Sequence, residues 1–203
     1  MKSEPGVLTQ EGTRAPSAAA GSLFKTPLYR VLAVLLDYPG RDFKEMLAEA
    51  KAFLVSLEDG DAQCADEIRG AVEWMERQSL LELQRAYVET FDLTPAHSLH
   101  LTAQLLGEED RRRGEALIGL LRHYAASGMR LKAHELPDYL PAILEYASTL
   151  DHAEAADFLA AAGKALQSLH THLEAAKSPY AGLVRAARAG ASIAPRPAPA
   201  PRG

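Results

Sequence analysis

The seven histidines are the side chains in this sequence best suited to binding a transition metal or moving a proton near neutral pH. His97 and His100 are about one helical turn apart, and His170 and His172 are two positions apart. A zinc site takes three or four protein ligands, so a pair of histidines without further ligands makes a poor site. We therefore predict no metal site.

Motifs that would indicate other catalytic chemistry are missing. His134-Glu135 begins like a zinc-protease motif, but the second His is absent and Pro137 interrupts the helix that this motif requires. The sequence has no Walker loop, no G-x-G-x-x-G turn and no G-x-S-x-G elbow. The single cysteine, Cys64, has no partner for a disulfide, which fits a reducing compartment. We predict a binding protein with no catalytic residues and no cofactor.

Two segments combine carboxylates with aromatic rings or prolines, as a polypeptide-binding surface can. Residues 87–92 lie at a predicted helix end, and residues 135–141 lie at a predicted helix start. Pro137 is predicted to begin that helix, so Glu135 and Asp138 place negative charge near the positive end of its dipole. These two carboxylates either cap the helix or line a groove mouth and meet a basic ligand group.

The elements that position these segments are predicted to be helices. Apolar residues make up 47% of the chain and recur at spacings of three and four, and no convincing strand is apparent. Residues 1–22 and 190–203 are rich in Gly, Ser, Pro and Ala and lack this period, so we predict disordered tails. Residues 23–189 are predicted to form one domain, an all-α helical bundle.

Helix boundaries follow from capping signals and prolines. Pro27 is predicted to open the first helix, and Ser79 with Glu82 forms a capping box for another. A short helix is predicted over 98–106, a longer one over 110–127, and a loop over 129–136. Asp151 is predicted to cap one long helix that ends near Leu173.

The charge pattern argues against nucleic acid as a partner. The net charge is -5, and the excess of acidic residues lies in the predicted helical domain. An acidic domain repels phosphate backbones and attracts basic peptides. The longest apolar run, residues 31–36, is far shorter than the ~20 residues of a membrane span. We predict no stable membrane insertion and a cytoplasmic location.

These motifs resemble those of the NarJ family, the molybdenum-cofactor assembly chaperones of respiratory nitrate reductase. The resemblance covers about residues 28–185, in family-like order and spacing. Its most recognisable part is the stretch 135–141, followed by Leu144-Glu145-Tyr146. The other similar segments are residues 35–39, 87–92, 98–99, 107–108, 113–116 and 120–121.

The resemblance implies a TorD-like all-helical fold and a partner. Such a chaperone binds the N-terminal segment of the apo catalytic subunit, holds it ready for molybdenum cofactor insertion and limits premature membrane docking. It performs no chemistry of its own. Leu93 stands where many relatives carry a basic residue, and Tyr139 stands where wider relatives often have His. A monomer and a dimer both remain open.

The predicted site is a groove between helices that receives the partner's segment as an amphipathic helix. Pro137 is expected to fix the entry of one helix beside the groove. The expected walls are Tyr87, Phe91, Leu101, Tyr139 and Leu140, and the expected contacts to basic residues are Asp92, Glu135 and Asp138.

Alternative functions remain open at this point. The client could be a related molybdoenzyme. A small helical hydrolase or cofactor-binding enzyme could use Asp92, Asp138 and His100, which would require a closed pocket with converging titratable groups. A homo-oligomeric scaffold without a peptide ligand is the third possibility.

Overall fold

Nine α-helices account for most of the residues that the computed structural model describes, which are 7–10, 25–56, 62–106 and 110–189. In chain order these are α1 (Pro27–Leu36), α2 (Phe43–Ser56), α3 (Ala62–Glu76), α4 (Leu80–Tyr87), α5 (Arg111–Ala126), α6 (Leu140–Thr149), α7 (His152–Ala160), α8 (Gly163–Ala175) and α9 (Ala181–Ala189). A π-helical turn, Val88–Asp92, extends α4, and two 3-10 turns, Pro95–His97 and Leu101–Gln104, precede α5. The predicted all-α single-domain fold is confirmed.

One large apolar core packs eight of these helices together, and α5 joins them mainly through a smaller cluster of Leu8, Tyr124, Met129 and Tyr146. In α1, Leu32, Leu35 and Leu36 are at most 1% exposed, and this helix packs chiefly on α6. Helix α9 packs on both α3 and α8. Full burial of a leucine stabilises the folded state by about 1.5–3 kcal/mol, so the repeated apolar spacing supplies most of the stabilisation of the bundle.

The predicted helix starts at Pro27, Ser79 and Asp151 are confirmed. Pro27 lies in the first turn of α1, where a missing N–H leaves no bond broken. Ser79 with Glu82, and Asp151 with Glu154, form reciprocal capping boxes at α4 and α7. Each box satisfies two backbone N–H groups that a helix start would otherwise leave unpaired.

Two short antiparallel strands were not expected. Strand β1 (Leu8–Gln10) pairs with β2 (Met129–Leu131), with Leu8 opposite Leu131. The first strand lies in the predicted disordered tail, and the second lies in the predicted loop 129–136. Residues 7–10 are therefore an exception to the tail prediction. The rest of the two predicted tails, residues 1–6, 11–22 and 190–203, lies outside the described residues.

Helix α6 begins at Leu140 rather than at the predicted Pro137. The backbone just before the helix is extended, because it pairs with residues 99–101. The N–H of Leu101 donates to the Asp138 carbonyl at 3.0 Å, and the N–H of Leu140 donates to the Leu99 carbonyl at 2.9 Å. Tyr139 is therefore the extended residue that precedes the helix, and Pro141 occupies the first turn.

Two other predicted helices differ in the structure. The single helix predicted from Asp151 to Leu173 is broken at residues 161–162 into α7 and α8. Gly163 follows this break, and glycine is a poor helix former. The helix predicted over 98–106 is reduced to the 3-10 turn Leu101–Gln104, because residues 99–101 pair with the extended backbone before α6.

Candidate functional site

An open apolar cleft of about 760 Å³ lies between α5, α6, α7, the start of α8 and the turn that contains Leu101. Its walls are made mainly of aliphatic and aromatic side chains. The principal ones are Leu101, Leu105, Leu106, Leu120, Ile143 and Phe158. Concave apolar surfaces of this size bind ligands or segments of other polypeptides.

Within the described part of the chain, most of α5 is uncovered, and the cleft opens along this helix. Tyr124 is the buried residue of this 16-residue helix, whereas Ile118 and Leu121 are 51% and 45% exposed. The spacing of Leu117, Leu120, Leu121 and Tyr124 places these residues on one apolar face of α5. Only part of that apolar face is covered, and the half-buried Leu120 borders the cleft instead. An apolar helix face without a covering element marks an interaction surface.

Helix α5 is attached mainly through its C-terminal end. The Tyr124 hydroxyl donates to the Pro137 carbonyl at 2.8 Å, and the Tyr124 ring packs against Tyr146 at 5.0 Å between centroids. Ser127 Oγ and the Tyr146 hydroxyl share a 3.0 Å hydrogen bond. Across the cleft, the rings of His123 and Phe158 pack in a T-shaped arrangement, with 5.8 Å between their centroids. These contacts position the α5 wall relative to α6 and α7.

Asp138 lies at the floor of the cleft with a fully buried side chain. Its carboxylate accepts a backbone N–H from Thr102 at 3.1 Å and the Thr102 hydroxyl, and it lies 3.3 Å from His100 Nδ1. Burial alone would raise the pKa of Asp138, but the hydrogen bonds from His100 and Thr102 outweigh it and hold the pKa below its ordinary value.

This geometry makes Asp138 a positioning residue. Its hydrogen bonds attach the turn that contains Leu101 to the residues before α6, and so they set the position of one part of the cleft lining. The sequence prediction gave Asp138 a direct contact with a basic peptide residue. In the structure this carboxylate is fully buried and bonded to Thr102 and His100, so that contact would require these bonds to break.

Several predicted wall residues belong to the core rather than to the cleft. Tyr87, Phe91 and Leu140 are at most 5% exposed, and the Phe91 ring packs between those of Tyr87 and Tyr180 at 4.9 and 4.8 Å. Pro137 is also buried. Of the nine predicted residues, the cleft lining contains Leu101 and Asp138.

The remaining predicted residues lie elsewhere. Tyr139 is half-buried, and Asp92 and Glu135 are exposed. The Tyr139 hydroxyl donates to Asp37 Oδ1 at 3.0 Å and lies 2.7 Å from the Tyr87 hydroxyl. Burial raises the pKa of Asp37, partly offset by the hydrogen bonds from the Tyr38 backbone and from Tyr139. This polar network links the end of α1 to the start of α6.

The sequence interpretation missed the α7 side of the cleft. Phe158 forms part of its wall, and the carboxylates of Glu154 and Asp157 are exposed at its edge. Glu154 also accepts the N–H of Asp151 in the capping box, at 3.2 Å. The available signal was the spacing of three and four that places these residues on one face of α7, beside Phe158.

Two negative findings concern the part of the chain that the structure describes. Within it, no three His, Cys, Asp or Glu side chains are grouped so that they could hold a metal ion. Nor does any helix in the ranges 25–56, 62–106 and 110–189 have the length and apolar character needed to cross a membrane.

A helical protein with an open apolar cleft and carboxylates at its edge has the features of a polypeptide-binding protein. By sequence, the chain belongs to the nitrate reductase delta subunit family, whose profile matches residues 55–186, more than half of the chain. The resemblance to the NarJ family is thereby confirmed.

Individual relatives agree with this assignment. The chain is 33% identical over 156 residues to the nitrate reductase molybdenum cofactor assembly chaperone NarJ of Escherichia coli (strain K12), covering 75% of this chain and 64% of that protein. The match therefore spans slightly less than two thirds of that relative. A probable chaperone of the same description from Bacillus subtilis (strain 168) is 30% identical over 77% of this chain and 83% of its own length.

Proposed function

We propose that this chain is a cytoplasmic assembly chaperone, not an enzyme, that binds the N-terminal segment of the apo catalytic subunit of respiratory nitrate reductase. By holding that segment it keeps the subunit ready for molybdenum cofactor insertion and delays membrane docking. The printed names of the Escherichia coli and Bacillus subtilis relatives support the chaperone role. The observation that carries the proposal is the apolar cleft with carboxylates at its edge.

The cleft suits an amphipathic helix. Such a helix places apolar anchors at spacings of three and four, and these would cover Leu105, which is 52% exposed, and the half-buried Leu120 and Phe158. Each anchor removes apolar surface from water on both partners. Ordering a flexible peptide costs a few kcal/mol, so the resulting affinity is moderate, as release of the client requires.

The carboxylates at the edge give the cleft a preference for cationic peptides. Glu154 and Asp157 are exposed, so an ion pair with a Lys or Arg of the client contributes only about 0.2–1 kcal/mol each. Their main effect is on the rate of encounter and on the salt dependence of binding. Asp92 and Glu135 are also exposed, and their contact with basic client residues stays a prediction.

Calorimetric titration with a peptide copying the first ~15 residues of the catalytic subunit, the length of a short amphipathic helix, tests the proposal. We expect Leu105→Glu to weaken binding at least about tenfold, because it places a charge in an apolar contact. The matched control is Leu81→Glu on α4. Leu81 is 75% exposed and is not part of the cleft lining, so this variant should bind like the unmodified protein.

Two outcomes would contradict the proposal. If the unmodified protein does not bind the peptide at low salt, the client segment is wrong. If both leucine variants bind equally well, the peptide binds somewhere other than the cleft. Light scattering, which measures the molar mass in solution, separates this proposal from the scaffold alternative. The scaffold alternative requires an oligomer that does not bind the peptide.

The hydrolase alternative rests on the close pair of His100 and Asp138, of which Asp138 lines the cleft. The pair is poorly placed for general base catalysis, since the carboxylate also holds the backbone and hydroxyl of Thr102. Turnover of model esters by the unmodified protein, lost in His100→Ala, would favour the enzyme.

A further inference from the structure

Glu145 on α6 binds the N-terminal residues of the chain through its carboxylate. The side chain is buried, and its Oε2 accepts the backbone N–H groups of Val7 at 2.5 Å and Leu8 at 2.9 Å. Its Oε1 accepts a hydrogen bond from Arg30 Nη1 at 2.9 Å. A carboxylate withdrawn from water needs such donors, because an unpaired buried charge costs several kcal/mol.

The surroundings of Glu145 provide two further features of a strand-binding site. The first is a strand edge, since β2 pairs with β1 and the N–H of Lys132 donates to the Val7 carbonyl at 2.9 Å. The second is an apolar pocket, in which the Leu8 side chain packs with Tyr124, Met129 and Tyr146. Backbone pairing supplies affinity in such sites, and a side-chain pocket supplies specificity.

We propose that Glu145, β2 and the rings of Tyr124 and Tyr146 form a second, strand-binding site, which residues 7–10 of this chain occupy as an intramolecular ligand. The site takes an extended peptide that offers two consecutive backbone N–H groups and one apolar side chain. Its occupancy holds α5, the outer wall of the cleft, in place.

Tyr146 connects the two sites. Its ring packs against Tyr124 on the side of the strand site and against Phe158 on the side of the cleft, at 5.0 and 4.9 Å. Tyr124 is the buried residue of α5, so the contact of Leu8 with this ring group braces the helix. An empty strand site removes that brace and leaves the α5 wall less well positioned.

The test is complementation in trans. A protein that lacks residues 1–10 is mixed with a synthetic peptide of residues 1–14, and amide hydrogen exchange is followed across residues 111–131. We expect exchange there to be at least about tenfold faster in the truncated protein, and the peptide to restore protection. The full-length variant Leu8→Ala should show the same direction of change, which covers the case of a truncated protein that does not fold.

Two controls isolate the carboxylate–amide contact. A peptide with N-methyl groups on Val7 and Leu8 keeps both side chains but lacks the two donors, so it should not restore protection. The truncated protein with Glu145→Gln should bind the normal peptide at least about tenfold more weakly, because hydrogen bonds to a charged acceptor are replaced by weaker ones.

The proposal is overturned if Leu8→Ala and the truncation leave amide exchange in α5 unchanged. It is also overturned if the N-methylated peptide restores protection to the same extent as the normal peptide. The coupling to the cleft rests on the proposed function and is read from the affinity for the client peptide, which should fall in the truncated protein and recover with the peptide of residues 1–14. Failure of the client peptide to bind the full-length protein would refute the proposed function, while the exchange data would still decide the strand site.

Discussion

Replacement of Asp138 with Asn is expected to lower the free energy of unfolding by about 2–4 kcal/mol at pH 7. The carboxylate is fully buried and accepts both the backbone N–H and the hydroxyl of Thr102, and it also faces His100 Nδ1. Both Thr102 donors bond the same oxygen, Oδ2, so the single oxygen of an Asn side chain can still accept them, but it carries no negative charge. The amide group then replaces the oxygen that faces His100 Nδ1. The loss is the charge assistance of these hydrogen bonds, and a hydrogen bond to a charged group is worth about 1.5–3 kcal/mol.

The pH dependence of this effect has a defined sign. The hydrogen bonds hold the pKa of Asp138 below its ordinary value, so the folded protein binds this proton less readily than the unfolded chain. The stabilisation is therefore complete above the unfolded pKa of about 3.9, and it is lost as the pH falls through the lower folded pKa. The difference between the unmodified protein and Asp138→Asn should accordingly shrink below about pH 4.

Urea unfolding at pH 7 and at several acidic pH values measures both effects. The matched control is Asp157→Asn, which changes an exposed carboxylate and should alter stability by less than about 0.5 kcal/mol. A loss below about 0.5 kcal/mol for Asp138→Asn, or a loss that grows as the pH falls, would refute the positioning role.

Three further substitutions probe the polar network at Tyr139, the apolar core and the carboxylates at the cleft edge. Tyr139→Phe removes the hydroxyl that donates to Asp37, and thermal unfolding should show a loss of about 1–3 kcal/mol. Leu32→Ala should cost about 2–5 kcal/mol by opening a cavity in the core, whereas Val55→Ala, at a site 82% exposed, should be nearly neutral in the same urea titration. Asp157→Asn should weaken client-peptide binding less than about tenfold at low salt, with no difference near 1 M salt, as titrations at both salt concentrations will show.

The helical bundle could be predicted from the sequence because its signals are local. Apolar spacing places Leu32, Leu35 and Leu36 in the core, and the capping box at Ser79 depends on residues three positions apart. The two strands could not be predicted in this way, because three residues are too few to show a period. Their pairing joins residues 8–10 to residues 129–131, which are remote in sequence.

The cleft was only partly predictable for a related reason. Periodicity identifies the apolar face of α5, but it does not reveal whether another element covers that face. Leu121 lies on this apolar face and is nevertheless 45% exposed. In the same way, the carboxylate of Asp138 was read as a helix cap or a groove contact, and its actual partner, Thr102, lies 36 residues away in sequence. Such contacts are decided by tertiary packing rather than by local pattern.

Nuclear magnetic resonance of methyl-labelled protein, titrated with the N-terminal peptide of the nitrate reductase catalytic subunit, locates the bound segment most directly. If the cleft receives this segment, the methyl resonances of Leu105, Leu106 and Leu120 shift on binding, and those of Leu81 do not. Unshifted cleft resonances in the presence of saturating peptide, or shifts confined to the surface around Leu81, would contradict the proposed role of the cleft.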